Sequence, residues 1–101
     1  MALNDQLSHV NKFVKSFNIT STGVVDSAEG ILRGMVIRGT NTGGSVVFKD
    51  GGSGGTIILT IDTPAKVDYA YTPIPGAGLV YRTNLYAELT NVDGLTVFVN
   101  E

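Results

Sequence analysis

The stretch Gly44-Ser45-Val46-Val47-Phe48-Lys49-Asp50-Gly51-Gly52-Ser53-Gly54-Gly55-Thr56-Ile57-Ile58-Leu59-Thr60-Ile61-Asp62 decides the reading of this chain. Two short runs rich in β-branched and aromatic residues flank a Gly/Ser segment, which is how a β-hairpin is written in sequence. A period of two places Val46 and Phe48 on one side of the first run and Ile57, Leu59 and Ile61 on one side of the second. That side is expected to face a core. Asp50-Gly51-Gly52 and Gly54-Gly55 supply positions able to take positive φ without a Cβ clash, so the chain can reverse tightly between the runs.

Outward from this hairpin, the chain has 101 residues, enough for one domain with a single core. It contains no Cys, which excludes a disulfide framework and thiolate metal sites. The single His, His9, stands in a polar N-terminal segment and cannot build a His-rich metal site. A net charge of −2 with the charges scattered leaves no basic stripe for a phosphate backbone, so no nucleic acid partner is expected. No apolar run approaches the roughly eighteen residues that cross a bilayer. The N-terminus lacks the basic and apolar regions of a signal peptide, so a soluble, cytoplasmically made protein without a membrane partner is expected. Thirteen Gly, with abundant Thr, Val and Ile, favour short strands and tight turns.

In chain order, residues 1–10 are expected to form a flexible arm, and residues 11–101 a β-sandwich domain. Asn11 to Thr20 reads as a first strand, and Thr22 to Glu29 as a short strand or loop around Val24-Val25 with a turn after it. Gly30 to Gly39 is a strand bounded by glycines, with Ile31, Met35 and Ile37 on one face and Leu32, Val36 and Arg38 on the other. Gly34 inside it signals a bulge or the close approach of another backbone. Pro64 ends the second hairpin strand, because Pro has no N–H for a ladder. Val67 to Thr72 is a short strand, stopped by Pro73-Ile74-Pro75-Gly76-Ala77-Gly78, whose Ile74 is expected to plug the open end of the core. Leu79 to Tyr81 is a brief extended piece. Leu85 to Thr90 and Leu95 to Asn100 alternate, with Asn91-Val92-Asp93-Gly94 between them read as a hairpin turn by its Asp-Gly. Leu95, Val97 and Val99 point inward. Seven or eight strands at this spacing, without a helix, indicate a small antiparallel β-sandwich of jelly-roll or immunoglobulin-like topology.

The chemical motifs fail one by one. Gly51 to Gly55 is followed by neither the Lys nor the helix of a phosphate-binding loop. Gly76-Ala77-Gly78 has Tyr81 where a dinucleotide fingerprint needs its third Gly. Asp50, Asp62, Asp68 and Asp93 lack calcium-loop spacing and read as turn residues. Asn18-Ile19-Thr20 is a glycosylation sequon without a secretory signal. A Ser nucleophile would have only His9 as a base. No catalytic residue, metal site or cofactor is expected. The informative residues are Val47, Ile58, Tyr86 and Phe98, with Val36 beside them. Alternation assigns these to outward faces, where antiparallel sheets ordinarily carry Lys, Glu and Thr. Either a second layer of the chain, from the N-terminal strand or the proline loop, covers them, or they form a contact surface for another protein.

Gly44 to Asp62, Pro73-Ile74-Pro75-Gly76 and Asn84-Leu85-Tyr86, taken together, resemble short β-rich virion proteins of tailed bacteriophages. These show the same order of β-formers, Asp, Gly/Ser turn, aliphatic strand, proline loop and final hairpin. The likeness runs from Gly30 to Asn100. Members have Gly before the Leu-Tyr pair where this chain has Asn84, a residue that tolerates the left-handed conformation. The resemblance implies a non-enzymatic virion protein, made in the host cytoplasm, that decorates or cements the icosahedral head. Its implied partners are the major capsid protein and further copies of itself, with trimers at local threefold positions and the arm extending over neighbouring subunits. A tail, neck or fibre module is a different structural reading. A carbohydrate-binding sandwich gripping sugars through Tyr69, Tyr71, Tyr81 or Tyr86 is another.

Overall fold

A computed structural model describes residues 14–65 and 69–100. The arm expected over residues 1–10, together with Phe13 and Val67, lies outside the described residues. The described chain forms nine strands: β1 (Val14–Ile19), β2 (Gly23–Asp26), β3 (Gly30–Gly39), β4 (Gly44–Asp50), β5 (Thr56–Thr63), β6 (Tyr69–Pro73), β7 (Leu79–Tyr81), β8 (Leu85–Thr90) and β9 (Val92–Asn100). All pairings are antiparallel and build two sheets. One has the order β1-β9-β3-β6, with β7 also paired to β3; the other has the order β2-β8-β4-β5. The chain is the all-β sandwich that its alternating pattern indicates.

The inward residues of both sheets form one core. Val46, Phe48, Leu85 and Ala87 from the four-stranded sheet meet Leu32, Met35, Ile37, Leu95, Val97 and Val99 from the five-stranded sheet. Fully burying one such aliphatic or aromatic side chain stabilises the fold by about 1.5–3 kcal/mol. Ile74 packs against this core. Its N–H donates to the Arg33 carbonyl at 2.9 Å, which ties the proline loop to β3.

Two bulges decide which residues point in. In β3 the register shifts between Leu32 and Gly34, so Arg33 is the extra residue. Leu32 therefore turns inward with Met35, while Ile31 goes to the outer side opposite Asn100, which corrects the strict alternation expected there. Gly34 meets both of its expectations. It lies at the bulge, and a Cβ on it would stand 3.1 Å from the Thr72 carbonyl and 3.5 Å from the Tyr71 ring. In β5 the register shifts opposite Phe48 and Lys49, leaving Ile58 as the extra residue. The expected sides of Ile57 and Ile58 are thereby exchanged. Ile57 pairs with Lys49 on the outside and is 58% exposed, whereas Ile58 packs against the core.

The last two strands depart from the expected hairpin. β8 belongs to the four-stranded sheet and β9 to the other, so the chain between them changes sheets. It does so at Asn91, whose φ of 53° is the left-handed conformation that Asn accepts more readily than most residues. Asp93-Gly94 is not a turn. It sits inside β9, where a register shift against Arg38 and Gly39 makes Asp93 a bulge residue. Tyr81, read from sequence as part of a brief extended piece, is the largest fully buried side chain.

Candidate contact face

Two clusters of polar groups hold the sandwich together, and both use buried or backbone-paired side chains. Tyr81 on β7 donates its hydroxyl to Oδ2 of Asp26 on β2 at 2.7 Å, and the Ala28 N–H donates to Oδ1 at 3.1 Å. β7 and β2 belong to different sheets, so this contact staples one to the other across the core. At the end of the sandwich, Asp50 accepts from the backbone N–H groups of Arg82 and Thr83, each at 2.8 Å, and of Asn84 at 3.4 Å. Asn84 returns the contact, its Oδ1 accepting from the Gly52 N–H at 2.9 Å and the Gly51 N–H at 3.3 Å. The hairpin turn, with Gly51 and Gly52 at positive φ, is thereby clamped to the β7–β8 turn. Asn84 serves here through its side chain. It is not among the residues at positive φ, contrary to the left-handed role expected of it. The backbone N–H of Arg82, then that of Thr83, holds the Asp50 carboxyl below its ordinary value of 3.8, because these bonds favour the charged form.

Among the described residues, no three His, Cys, Asp or Glu side chains stand close enough to hold a metal ion. None of their buried side-chain nitrogen or oxygen atoms lacks a hydrogen-bond partner.

The sequence-derived set of Val47, Ile58, Tyr86 and Phe98 does not form one patch. Ile58 packs toward the core. Val47 and Tyr86 lie on the outer face of the four-stranded sheet, where Val24, Tyr86, Lys49 and Ile57 form one row across the strands. Lys49 interrupts that row, its Nζ 3.0 Å from Glu88 Oε1 and donating to the Ser53 carbonyl at 2.8 Å. In the next row Val47 stands between Glu88 and Thr60.

Phe98 lies on the opposite outer face, that of the five-stranded sheet, and there the apolar residues touch. Phe98 on β9 is paired with Gly34 on β3, and Val36 on β3 is paired with Tyr71 on β6. The bare Gly34 leaves room for the Tyr71 ring to lean over it toward Phe98. Their centroids are 6.2 Å apart and the planes 67° apart, an edge-to-face contact of the favoured kind. Val14 at the start of β1, Pro73 and Ile74 from the proline loop and Arg33 from β3 complete the lining of a groove of about 460 Å³. Tyr71 is 63% exposed and Val14 59%, so the groove presents apolar surface to the outside. Farther along this face the residues turn polar, with Asn18, Thr96 and Arg38 in adjoining positions. Tyr71, weighed from sequence only as a sugar-stacking ring, is the residue that makes this face contiguous. Tyr81, weighed beside it, is buried and cannot stack on anything outside.

Comparison with protein-family models, with curated proteins and with solved structures gives no match for this chain.

Proposed function

We propose that this chain is a non-enzymatic structural protein that assembles by burying the outer face of its five-stranded sheet against another protein, as a decoration or cement protein of a phage head. The observation that supports assembly is the edge-to-face pair of Tyr71 and Phe98 in a groove lined also by Val14, Pro73 and Ile74, with Arg33 as the one charged residue of its lining. The virion assignment rests on the resemblance that runs from Gly30 to Asn100, and it names the major capsid protein as partner and trimers as the form of assembly.

Magnitudes set the mode of action. Each side chain newly buried contributes at most about 1.5–3 kcal/mol, and Phe98 and Val36 are already half covered. Association itself opposes binding by roughly 4–15 kcal/mol. One such face holds a partner weakly. Many copies sharing a lattice hold it firmly, because each bound contact raises the effective concentration of the next. Reinforcement of a shell by repeated weak contacts is the mechanism this face suits.

The test is location followed by competition. Heads and tails are separated from virions of the phage encoding the chain, and each fraction is quantified by mass spectrometry. The proposal expects the chain in the heads, in regular stoichiometry to the capsid protein. It also expects purified chain to rebind heads stripped of it, and Phe98→Lys to rebind at least tenfold less. A chain absent from virions overturns the virion assignment. Rebinding that is indifferent to Phe98→Lys overturns the contact face.

A further inference from the structure

The sandwich has edges as well as faces, and they are not alike. An unpaired edge strand exposes a row of N–H and C=O groups, and folded chains blunt such rows with Lys, Pro, bulges or short strands. β1 carries Lys15 at its edge, and the β6–β7 edge is broken by Pro73 and Pro75. β2 is only 4 residues long and its register shifts between Val24 and Asp26. β5 differs. It runs 8 residues, Thr56-Ile57-Ile58-Leu59-Thr60-Ile61-Asp62-Thr63, with no Lys, Arg, Pro or Gly. Among the described residues it pairs with β4 alone, and Ile57 on it is 58% exposed. Its bulge at Ile58 leaves the stretch from Leu59 to Thr63 regular.

We infer that β5 is a second assembly site, at which two copies of this chain pair their β5 strands antiparallel about a twofold axis through Ile61, making the two four-stranded sheets continuous. A backbone ladder selects an extended strand as its occupant. The residue pattern selects β5 itself. With the axis at Ile61, Thr60 of each copy faces Asp62 of the other on the outer side, a hydroxyl donor beside a carboxylate, and Leu59 faces Thr63. Centring the axis on Asp62 instead would oppose two carboxylates, an unfavourable cross-strand pair. An isologous contact of this kind closes at two copies. The paired span is short of the roughly 800 Å² per partner typical of a stable interface. The dimer therefore forms only at high concentration or where neighbouring copies are already held side by side. These residues lie on the other sheet from the Phe98 groove, so the inference stands apart from the proposed function.

The absence of native Cys makes the test direct. Equal amounts of Thr60→Cys and Asp62→Cys chains are mixed at high concentration and oxidised. Directly opposed residues have Cβ atoms about 4.5–5.5 Å apart and diagonal ones lie about 7–8 Å apart, so a mixed disulfide dimer is expected several-fold above either self-dimer. In parallel, sedimentation equilibrium is run on Phe98→Lys, which removes the groove as a source of association. Its dimer is expected to be lost when Thr60→Glu is added, which sets a carboxylate against Asp62 of the other copy. Dimers lost on Thr60→Glu but without preference for the mixed disulfide keep the edge and overturn the register. A Phe98→Lys chain that stays monomeric at every concentration, or a dimer unmoved by Thr60→Glu, overturns the inference.

Discussion

The outer faces of the two sheets are built from the same alternation, yet they differ in what lies between their apolar residues. On the four-stranded sheet, Lys49 separates Tyr86 from Ile57 and pairs with Glu88, so every apolar side chain has a charged or hydroxyl neighbour. On the five-stranded sheet, Gly34 stands opposite Phe98, and the Tyr71 ring, paired with Val36 in the next row, leans over the bare glycine so that the rings meet. Counting apolar residues on outward positions does not distinguish these faces. The cross-strand neighbour does, because a charge inserted in the row keeps water on the surface whereas a glycine lets the apolar groups coalesce.

The largest effect expected of this difference is on association. Replacing both Tyr71 and Phe98 by Lys removes the centre of the patch, and residues of that kind commonly carry 2 kcal/mol or more, roughly 30-fold in affinity or beyond. The matching change on the other face, Tyr86→Lys, is expected to alter rebinding to heads by less than about threefold, as interface-rim or non-contact positions do. Equal losses from the two faces would break the comparison.

A smaller effect, shared by both faces, is expected at the staple between the sheets. Tyr81→Phe removes the hydroxyl that meets Asp26 and leaves a buried carboxylate short of a donor, at about 1–3 kcal/mol in unfolding free energy. A urea titration reads this loss, while binding per folded molecule is expected to stay unchanged.

Next in size is the acid response of the loop clamp. Asp50 titrates lower folded than unfolded, so its contribution is present above its unfolded value, near 3.8, and is lost as the pH falls through the lower folded value. Unfolding midpoints measured down from neutral pH should fall on the acid side of that value. Asp50→Asn should flatten the fall, at lower stability throughout the neutral range.

The smallest effect is expected at the ion pair of the four-stranded face. Lys49 and Glu88 have side-chain exposures of 15% and 41%, and a partly solvated pair of this sort is worth about 0–1 kcal/mol. Glu88→Gln should lower the melting temperature slightly and leave rebinding to heads unaltered.

The sandwich itself was readable because β-branched runs alternate and Gly, Pro and Asp-Gly segments punctuate them. The sidedness of particular residues was not. A bulge shifts the side-chain period by one residue, and nothing in Ile57-Ile58 tells which of two identical side chains is the extra one; only the register against Phe48 and Lys49 decides. Gly34 carried a visible signal for its bulge, and Arg33 beside it took the extra position. The turn expected over Asn91-Val92-Asp93-Gly94 begins where the chain does change sheets, at Asn91, but its Asp-Gly, the usual hairpin signature, misled: those two residues lie inside β9 and the flanking strands are in different sheets. The Asp50–Asn84 clamp and the Asp26–Tyr81 staple join residues 34 and 55 positions apart, and a single sequence holds no trace of such pairing. The same limit hid the candidate contact face. Phe98 was identifiable as outward, but its meeting with Tyr71 depends on β9 and β6 flanking β3, a strand order that alternation cannot supply.

Hydroxyl-radical footprinting, comparing the free chain with the chain bound on heads, tests the central claim most directly, because it reads aromatic side chains one by one. Oxidation of Tyr71 and Phe98 should fall severalfold on binding while that of Tyr86 stays as it was. Protection of Tyr86 with Tyr71 and Phe98 still reactive would place the contact on the other sheet and contradict the account.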